Sequence, residues 1–183
     1  MKIYVIGGKA KTGKSTFGEL LKEELKDYGY KPCIMHLTEP LYTYAKNFFH
    51  WNGNESEKPR EFLQKMGIEI IKEKLGKEDF LLRRFYEDVE ILSTFFDTFI
   101  IVDARLIDEF KSIKNHFDEV VTIKVERTEY EDYLSEEEKE HRTETEIDHF
   151  HEFDYIIENK SLKDLKESVM EIVRNEEKDG DIV

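Results

Sequence analysis

The sequence predicts an α/β protein with a parallel sheet, and two observations support this prediction. Five short apolar runs alternate with segments in which apolar residues recur at helical spacing. Four of the five runs are continuously apolar or nearly so, as expected for strands that helices cover on both faces. We therefore expect a three-layer architecture in which a five-stranded parallel sheet lies between two layers of helices.

The predicted elements follow in order along the chain. Strands are expected at residues 3–6, 33–37, 99–102, 120–125 and 155–157. Helices are expected at residues 15–28, 41–49, 59–75, 78–95, 106–116 and 161–173, with residues 175–183 frayed. Gly29 is a suitable end for the first helix, and Ser161 with Asp164 forms a capping-box-like start for the last. The helices between the second and third strands form a larger insertion than a crossover needs, which predicts a further role such as a cleft wall.

Composition limits the class of protein and its partners. A chain of 183 residues with 39% hydrophobic and 38% charged residues predicts one globular domain, residues 1–183, with a well-solvated surface. The net charge of −14 argues against nucleic acid or an anionic membrane as a partner, since both would be repelled. Cys33 is the only cysteine, so no internal disulfide is expected, and no signal peptide or membrane span is recognisable. These features predict a cytoplasmic protein.

A glycine-rich loop joins the first apolar run to the first helical segment. It fits the pattern G-x-x-x-x-G-K-[ST], in which backbone N–H groups surround phosphates, the lysine reaches the β and γ oxygens, and the hydroxyl holds Mg²⁺. The strand, loop and helix order is that of a P-loop NTPase fold. The alternative is a glycine-rich turn with incidental lysines. The predicted phosphate-binding residues are Gly8, Lys9, Ala10, Lys11, Thr12, Gly13, Lys14, Ser15 and Thr16, with Lys14 catalytic and Ser15 on the metal.

Asp103 follows the third predicted strand, where ligands bind in parallel α/β sheets. We predict that it supports the metal together with Ser15, and the alternative is a helix cap. Arg105 lies two residues further on, close enough to contact a phosphate in the same cleft. A surface arginine is the alternative interpretation.

Other arginines are candidates for contacting the acceptor and the transferring phosphate. Arg60 and Gln64 lie one helical turn apart, so a guanidinium and an amide share a face that could hold an acceptor phosphate and base. Arg127 and Arg142 flank an acidic stretch that is expected to be a solvated helix. We interpret residues 127–151 as a lid whose arginines stabilise the transferring phosphate. An ordinary charged loop is the alternative.

Four stretches, taken in order, give the chain a family resemblance. They are Gly8-Lys9-Ala10-Lys11-Thr12-Gly13-Lys14; Arg60-Glu61-Phe62-Leu63-Gln64-Lys65-Met66-Gly67; Val102-Asp103-Ala104-Arg105; and His141-Arg142-Thr143-Glu144, continuing through Ile147-Asp148 to Asp154-Tyr155-Ile156-Ile157-Glu158-Asn159. The chain resembles the phage-type deoxynucleoside monophosphate kinases among the adenylate-kinase-like P-loop proteins. This group is also similar to animal-type phosphomevalonate kinase.

The resemblance implies a central P-loop strand, ATP with Mg²⁺ as the donor, and an acceptor-binding region over residues 39–76. It implies that Asn159 and Lys160 lie on the adenine side, and that Glu39, Arg60, Gln64 and Glu144 bind the acceptor. Two positions depart from the family pattern, since Ser15 stands in place of an Asp common in phage members and Ile68-Glu69 in place of Thr-Glu. Glu39-Pro40 is also similar to the Glu-Pro of deoxynucleoside kinases, in which the acid activates a sugar hydroxyl.

From the sequence, we predict phosphoryl transfer from ATP to a nucleoside monophosphate, with a deoxynucleotide favoured. Lys14, Asp103, Arg105, Arg127 and Arg142 are the predicted catalytic residues, and small-molecule nucleotides are the predicted partners, with a homodimer left open. Another small-molecule kinase, acting on a nucleoside or on phosphomevalonate, is the alternative within enzymes. A regulatory ATPase or nucleotide-binding protein is the alternative from another class, although Asn159-Lys160 lacks the continuation of the guanine-reading motif.

Overall fold

The computed structural model describes residues 1–54, 57–127 and 145–180. Its five strands are β1 (Lys2–Gly7), β2 (Pro32–Met35), β3 (Thr98–Ala104), β4 (Glu119–Glu126) and β5 (Tyr155–Glu158). All strand pairs are parallel, and the order is β2-β3-β1-β4-β5. Each of the five predicted strands is therefore present, and the strand that leads into the glycine-rich loop is central.

The helices are α1 (Lys14–Asp27), α2 (Glu39–Phe49), α3 (Arg60–Gln64), α4 (Phe80–Leu92), α5 (Ile107–His116) and α6 (Leu162–Gly180). A π-helical segment, Lys65–Lys74, continues α3, and Glu146–His149 forms a 3₁₀ helix. The helix predicted for residues 59–75 is thus present over residues 60–74, but it has π geometry from Lys65, which apolar spacing over so short a stretch does not distinguish from α geometry. In the described part of the chain, none of the helices combines the length and apolar character that a bilayer crossing requires.

The chain divides into two compact units, each with its own core. The first comprises Met1–Met35 and Leu92–Val183 and contains the sheet, and the second comprises His36–Ile91. The second unit includes the predicted acceptor-binding region, residues 39–76, and its core is formed by Leu41, Ala45, Leu63, Ile71 and Leu81. The prediction of a single domain over residues 1–183 stays a prediction.

Alternation of side chains along β1 produces the three layers of the first unit. Tyr4 and Ile6 point to one face and join a core shared with α1 and α6. A Cβ added to Gly7 would lie on the other face, where it would overlap the ring of Phe110 in α5 and the side chain of Ile147. Helices therefore cover both faces of the sheet, and the three-layer α/β fold of P-loop proteins predicted from the sequence is confirmed.

The last helix is longer than the sequence indicated. The expected fraying from Asn175 is wrong as far as Gly180, since α6 is helical throughout that stretch. Tyr30 donates a hydrogen bond to Glu177 over 2.6 Å, and Tyr155 donates one to Glu176 over 2.8 Å. The bond to Glu177, reinforced by burial, raises the pKa of Tyr30 to about 12. These long-range contacts hold a helix end that local sequence alone left weak.

Asp154, directly before β5, joins this strand to β4 by hydrogen bonds. Its carboxylate accepts hydrogen bonds from the backbone N–H and the hydroxyl of the fully buried Thr122, each over 2.7 Å, and from Lys114 of α5 over 3.2 Å. Burial would raise the pKa of Asp154, but the hydrogen bonds from Thr122 and Lys114 outweigh it and hold the pKa below its ordinary value.

Asp154→Asn is therefore expected to lower the free energy of unfolding at pH 7 by about 1–3 kcal/mol, because an amide has one acceptor oxygen in place of two charged ones. A depressed folded-state pKa stabilises the fold above the unfolded-state value and ceases to do so as pH falls through the folded-state value. The difference between wild type and variant should thus shrink below about pH 4. Urea unfolding at pH 7 and pH 3 measures both effects.

The matched control is Glu152→Gln, which neutralises an exposed carboxylate two residues away. It should change the free energy of unfolding by no more than about 0.5 kcal/mol. Equal losses in the two variants, or a loss in Asp154→Asn that is the same at both pH values, would contradict the role given to Asp154.

Candidate functional site

The candidate site is the loop between β1 and α1, at the carboxyl edge of the central strand. Three of its residues have positive φ angles: Gly8 at 146°, Lys11 at 59° and Gly13 at 105°. Gly13 is the N-cap of α1, and no side chain caps that end among the residues described. The loop therefore leads directly into a helix N-terminus, which carries a partial positive charge and directs its N–H groups outward.

The space around the two motif glycines explains why they are glycines. A Cβ on Gly8 would overlap the backbone carbonyl oxygen of Val125 in β4. A Cβ on Gly13 would overlap the side-chain nitrogen of Asn159, which follows β5. The loop is thus packed closely against the ends of two other strands, and only residues without a side chain fit at its two ends.

Lys14 begins α1 and is buried, with 7% of its surface exposed. Its ammonium donates hydrogen bonds to the carbonyl oxygens of Gly8, over 2.7 Å, and Lys9. The side chain therefore folds back along the loop and holds its positive charge beside the backbone that forms the loop. A lysine held beside the loop backbone can contact the oxygens of a phosphate bound there.

Two further contacts hold the loop. Thr12 is buried, and its hydroxyl donates to the carbonyl of Lys9 over 3.0 Å. The ammonium of Lys9 forms an ion pair with Asp148 of the 3₁₀ helix over 2.7 Å, with both side chains nearly half exposed. At this exposure the pair contributes little to stability, but it joins the loop to residues that follow the predicted lid arginines.

Asp103 and Arg105 lie at the same sheet edge as the loop. Asp103 is the penultimate residue of β3, and the pairing of Gly7 with Ala104 places this strand end beside the start of the loop. The backbone N–H groups of Arg105 and Leu106 donate to the Glu109 carboxylate over 2.9 and 3.0 Å.

A second carboxylate completes the cap of α5. The N–H of Ile107 donates to Glu146 of the 3₁₀ helix over 2.8 Å. Glu109 and Glu146 therefore cap the start of α5, while the role of Asp103 stays a prediction. Both glutamates were missed at the sequence level, although Glu109 lies three residues after the N-cap Leu106, as the glutamate of a capping box does. No sequence motif indicates the role of Glu146, because it lies 39 residues from Ile107, from whose N–H group it accepts a hydrogen bond.

The remaining predicted residues of the first unit are distributed around the loop. Ala10 is buried, whereas Lys11, Ser15 and Thr16 are exposed. Arg127 is exposed directly after β4, and Lys160 is exposed and paired with Glu158 over 2.8 Å. Arg142, Glu144 and the acidic stretch between the two lid arginines lie outside the described residues, so these assignments stay predictions.

Three of the four acceptor candidates belong to the second unit. Glu39 is the first residue of α2. Arg60 and Gln64 are the first and last residues of α3, so they lie one α-helical turn apart on one face, and both are partly buried. The sequence prediction that they share a face agrees with this geometry, while their roles stay predictions.

Two side chains of the site are candidate ligands of a metal ion. In residues 1–54, 57–127 and 145–180 there is no group of three or more His, Cys, Asp or Glu side chains arranged to hold a metal ion. Ser15 and Asp103 offer one hydroxyl and one carboxylate, which fits Mg²⁺ that takes its other ligands from water and nucleotide phosphates. The motif glycines leave no room for a Cβ, because atoms of Val125, Thr12 and Asn159 lie where it would be.

Comparison with known proteins extends these findings. No family model matches the sequence, and no curated protein matches it. A sugar kinase from Janibacter sp. HTCC2649 is similar in structure, with a TM-score of 0.53, 9% identity, and 95% of each chain covered. A shikimate kinase from Bacteroides thetaiotaomicron has a TM-score of 0.51 and 14% identity, covering 97% of this chain and 98% of that one. At these identities the likeness shows the fold: this chain has the three-layer α/β fold of P-loop kinases.

Proposed function

We propose that this chain transfers the γ-phosphoryl group of ATP to a nucleoside monophosphate, with a deoxynucleotide as the favoured acceptor. The observation that carries the proposal is the loop at the end of β1. Its two glycines have positive φ angles and no room for a side chain, and the buried Lys14 lies against its backbone at the start of a helix. This combination suits a triphosphate.

The donor side uses the loop and the end of β3. In this proposal the loop N–H groups and Lys14 bind the phosphates of ATP, while Ser15 and Asp103 hold Mg²⁺. Mg²⁺, when bound, would neutralise part of the negative charge on the phosphates. The chain is strongly acidic overall, so Lys9, Lys11 and Lys14 supply the local positive charge that an anionic substrate needs.

For the acceptor, the proposal uses the residues that the sequence indicates. Arg60 and Gln64 bind the acceptor phosphate and base, with Glu39 and Glu144 as further acceptor contacts. Arg105, Arg127 and Arg142 stabilise the charge that spreads over the transferring group. An oxygen of the acceptor phosphate bonds to the γ-phosphorus as the bond from that phosphorus to the β-phosphate breaks, which releases ADP. A phosphate oxygen is already anionic, so this reaction needs no strong base.

A hydroxyl acceptor is the second candidate, and two observations favour it. Glu39 is the first residue of α2, and in this candidate its carboxylate accepts the proton of a sugar hydroxyl. The two structural neighbours described above are also named as kinases of a sugar and of shikimate. In this case the substrate is a nucleoside or another small polyol.

The test is a coupled assay of ADP release by the full chain with Mg²⁺ and ATP. The acceptor panel comprises all common ribo- and deoxyribonucleoside monophosphates, the matching nucleosides, phosphomevalonate, shikimate and simple sugars. We expect at least one monophosphate to stimulate ADP release far above the rate without acceptor. Stimulation only by hydroxyl acceptors would favour the second candidate.

A regulatory ATPase remains the rival from another class. ATP hydrolysis that no acceptor stimulates would favour it and would contradict both kinase proposals.

Size-exclusion chromatography with light scattering, run on the same preparation, decides whether the active species is a monomer or a homodimer. In this proposal, neither nucleic acid nor a membrane is required for activity, and adding DNA or anionic vesicles should leave the rate unchanged.

A further inference from the structure

Asn159 connects the end of β5 to the phosphate loop. Its backbone N–H donates to the carbonyl of Glu126 over 2.7 Å, which extends the pairing of β4 with β5 by one residue. Its side-chain nitrogen donates to the carbonyl oxygen of Thr12 over 2.8 Å. The amide must present its nitrogen here, because a carbonyl can only accept a hydrogen bond. Asn159, at the end of β5, therefore holds the peptide group between Thr12 and Gly13 by a hydrogen bond.

That peptide is the one whose orientation matters for binding an anion. The carbonyl of Thr12 and the N–H of Gly13 belong to one planar trans unit, so they point in opposite directions. Gly13 has a φ of 105°, and glycine also tolerates the alternative orientation of the preceding peptide. Holding the Thr12 carbonyl towards Asn159 therefore directs the Gly13 N–H away from Asn159.

The surrounding contacts make Asn159 the fixed partner of this pair. The same side-chain nitrogen lies where a Cβ of Gly13 would be, and Leu165 of α6 lies within 3.8 Å of that position. Leu165 is buried in the core that α6 shares with α1. Ser161 caps the start of α6 by accepting a hydrogen bond from the N–H of Asp164 over 3.2 Å. The turn from β5 to α6 is thus held at both ends, by the bond of Asn159 to β4 and by the cap of α6.

We infer that Asn159 is a positioning residue that fixes the Thr12–Gly13 peptide so that the Gly13 N–H faces the bound phosphates. This inference rests on the proposed function, since it assigns a role within the same phosphate site. It differs from the adenine-side role that the family resemblance implies for Asn159. A residue that acts on the loop controls affinity for the phosphate chain itself, whereas an adenine contact controls affinity only for nucleotides.

Inorganic tripolyphosphate separates the two roles, because it has the phosphate chain and no base. Binding of Mg²⁺-tripolyphosphate and of Mg²⁺-ATP is measured by calorimetry for the wild type, Asn159→Ala and Asn159→Asp. We expect Asn159→Ala to weaken both ligands by a similar factor, about tenfold or more, since one hydrogen bond to a charged group loses its orientation. Asn159→Asp should bind both ligands at least as weakly as Asn159→Ala does, because a carboxylate has no proton to donate to the carbonyl of Thr12.

Ser161→Ala is the matched control from the same turn. It removes the cap of α6 without touching the loop, so the Tm should fall by about 2–4 °C with tripolyphosphate affinity unchanged. A second readout is the amide resonance of Gly13 in ¹⁵N-labelled protein. Tripolyphosphate should shift this resonance strongly in the wild type and in Ser161→Ala, and only weakly in Asn159→Ala.

The outcomes distinguish this inference from the function on which it rests. If the wild type binds both ligands and Asn159→Ala binds tripolyphosphate as tightly as the wild type, the positioning role is wrong and the proposed function stands. If tripolyphosphate affinity falls equally in Asn159→Ala and Ser161→Ala, general destabilisation accounts for the loss and the inference fails. If the wild type binds neither ligand, the proposed function fails together with the inference.

Discussion

Lys14→Ala should reduce turnover by about a hundred- to a thousandfold with every acceptor that the wild type accepts. The ammonium of Lys14 is buried and lies against the carbonyl groups of the loop, so its removal takes a positive charge out of the loop itself. Charge develops on the phosphate oxygens during transfer, and a preorganised positive group in a site of low polarity is worth several kcal/mol to that transition state. Steady-state assays with saturating ATP and acceptor measure the loss.

Two further variants separate loss of the Lys14 charge from loss of the fold. Lys14→Met keeps most of the side-chain volume, so it should remain folded by circular dichroism and still lose activity. Lys26→Ala removes a lysine of the same helix that is paired with Glu23 at the surface, and it should turn over like the wild type. Full activity in both Lys14 variants would show that the loop is not the phosphate site.

Gly8→Ala should be the most destabilising single methyl addition in the loop. The residue has a φ of 146°, which an L-residue rarely adopts, and the new Cβ would overlap a backbone carbonyl that cannot move without distorting β4. Strain and overpacking together should lower the free energy of unfolding by about 2–5 kcal/mol. For a chain of this size, that corresponds to a fall in Tm of roughly 5–15 °C, measurable by differential scanning calorimetry.

Gly29→Ala is the matched control for backbone strain. Gly29 also has a positive φ, 92°, but within the described residues nothing lies within 4 Å of the position that a Cβ would take. The free energy of unfolding of this variant should fall only by the cost of backbone strain at a positive φ, about 1–2 kcal/mol. If Gly8→Ala loses no more than Gly29→Ala and still binds Mg²⁺-ATP, the close packing between the loop and β4 has no energetic importance.

Local sequence patterns were sufficient for the sheet and for the loop. All five strands could be predicted because their apolar runs differ from the helical periodicity between them, and α1 ends next to Gly29 as its capping signal indicates. The loop was recognisable because its chemistry depends on residue types at fixed spacing. The start of α6 was also predictable, since the cap between Ser161 and Asp164 is local.

Contacts between distant segments could not be predicted in the same way. The far end of α6 stays helical because Tyr30 and Tyr155 bind its glutamates, over separations of 147 and 21 residues. The cap of α5 depends on Glu146. The hydrogen bonds that join the start of β5 to β4 depend on Thr122 and Asp154. No periodicity or motif marks such pairs, because each partner alone is an ordinary polar residue.

The sequence by itself determined the fold class and the residue types of the glycine-rich loop, since these follow from hydrophobic periodicity and from the steric freedom of glycine. The central position of β1 was implied by the family resemblance and is shown by the strand order. The tertiary structure decided how the loop is held. Asn159, Asp148 and Val125 contact it from parts of the chain more than 100 residues away, and only folding of the sheet brings them to its edge.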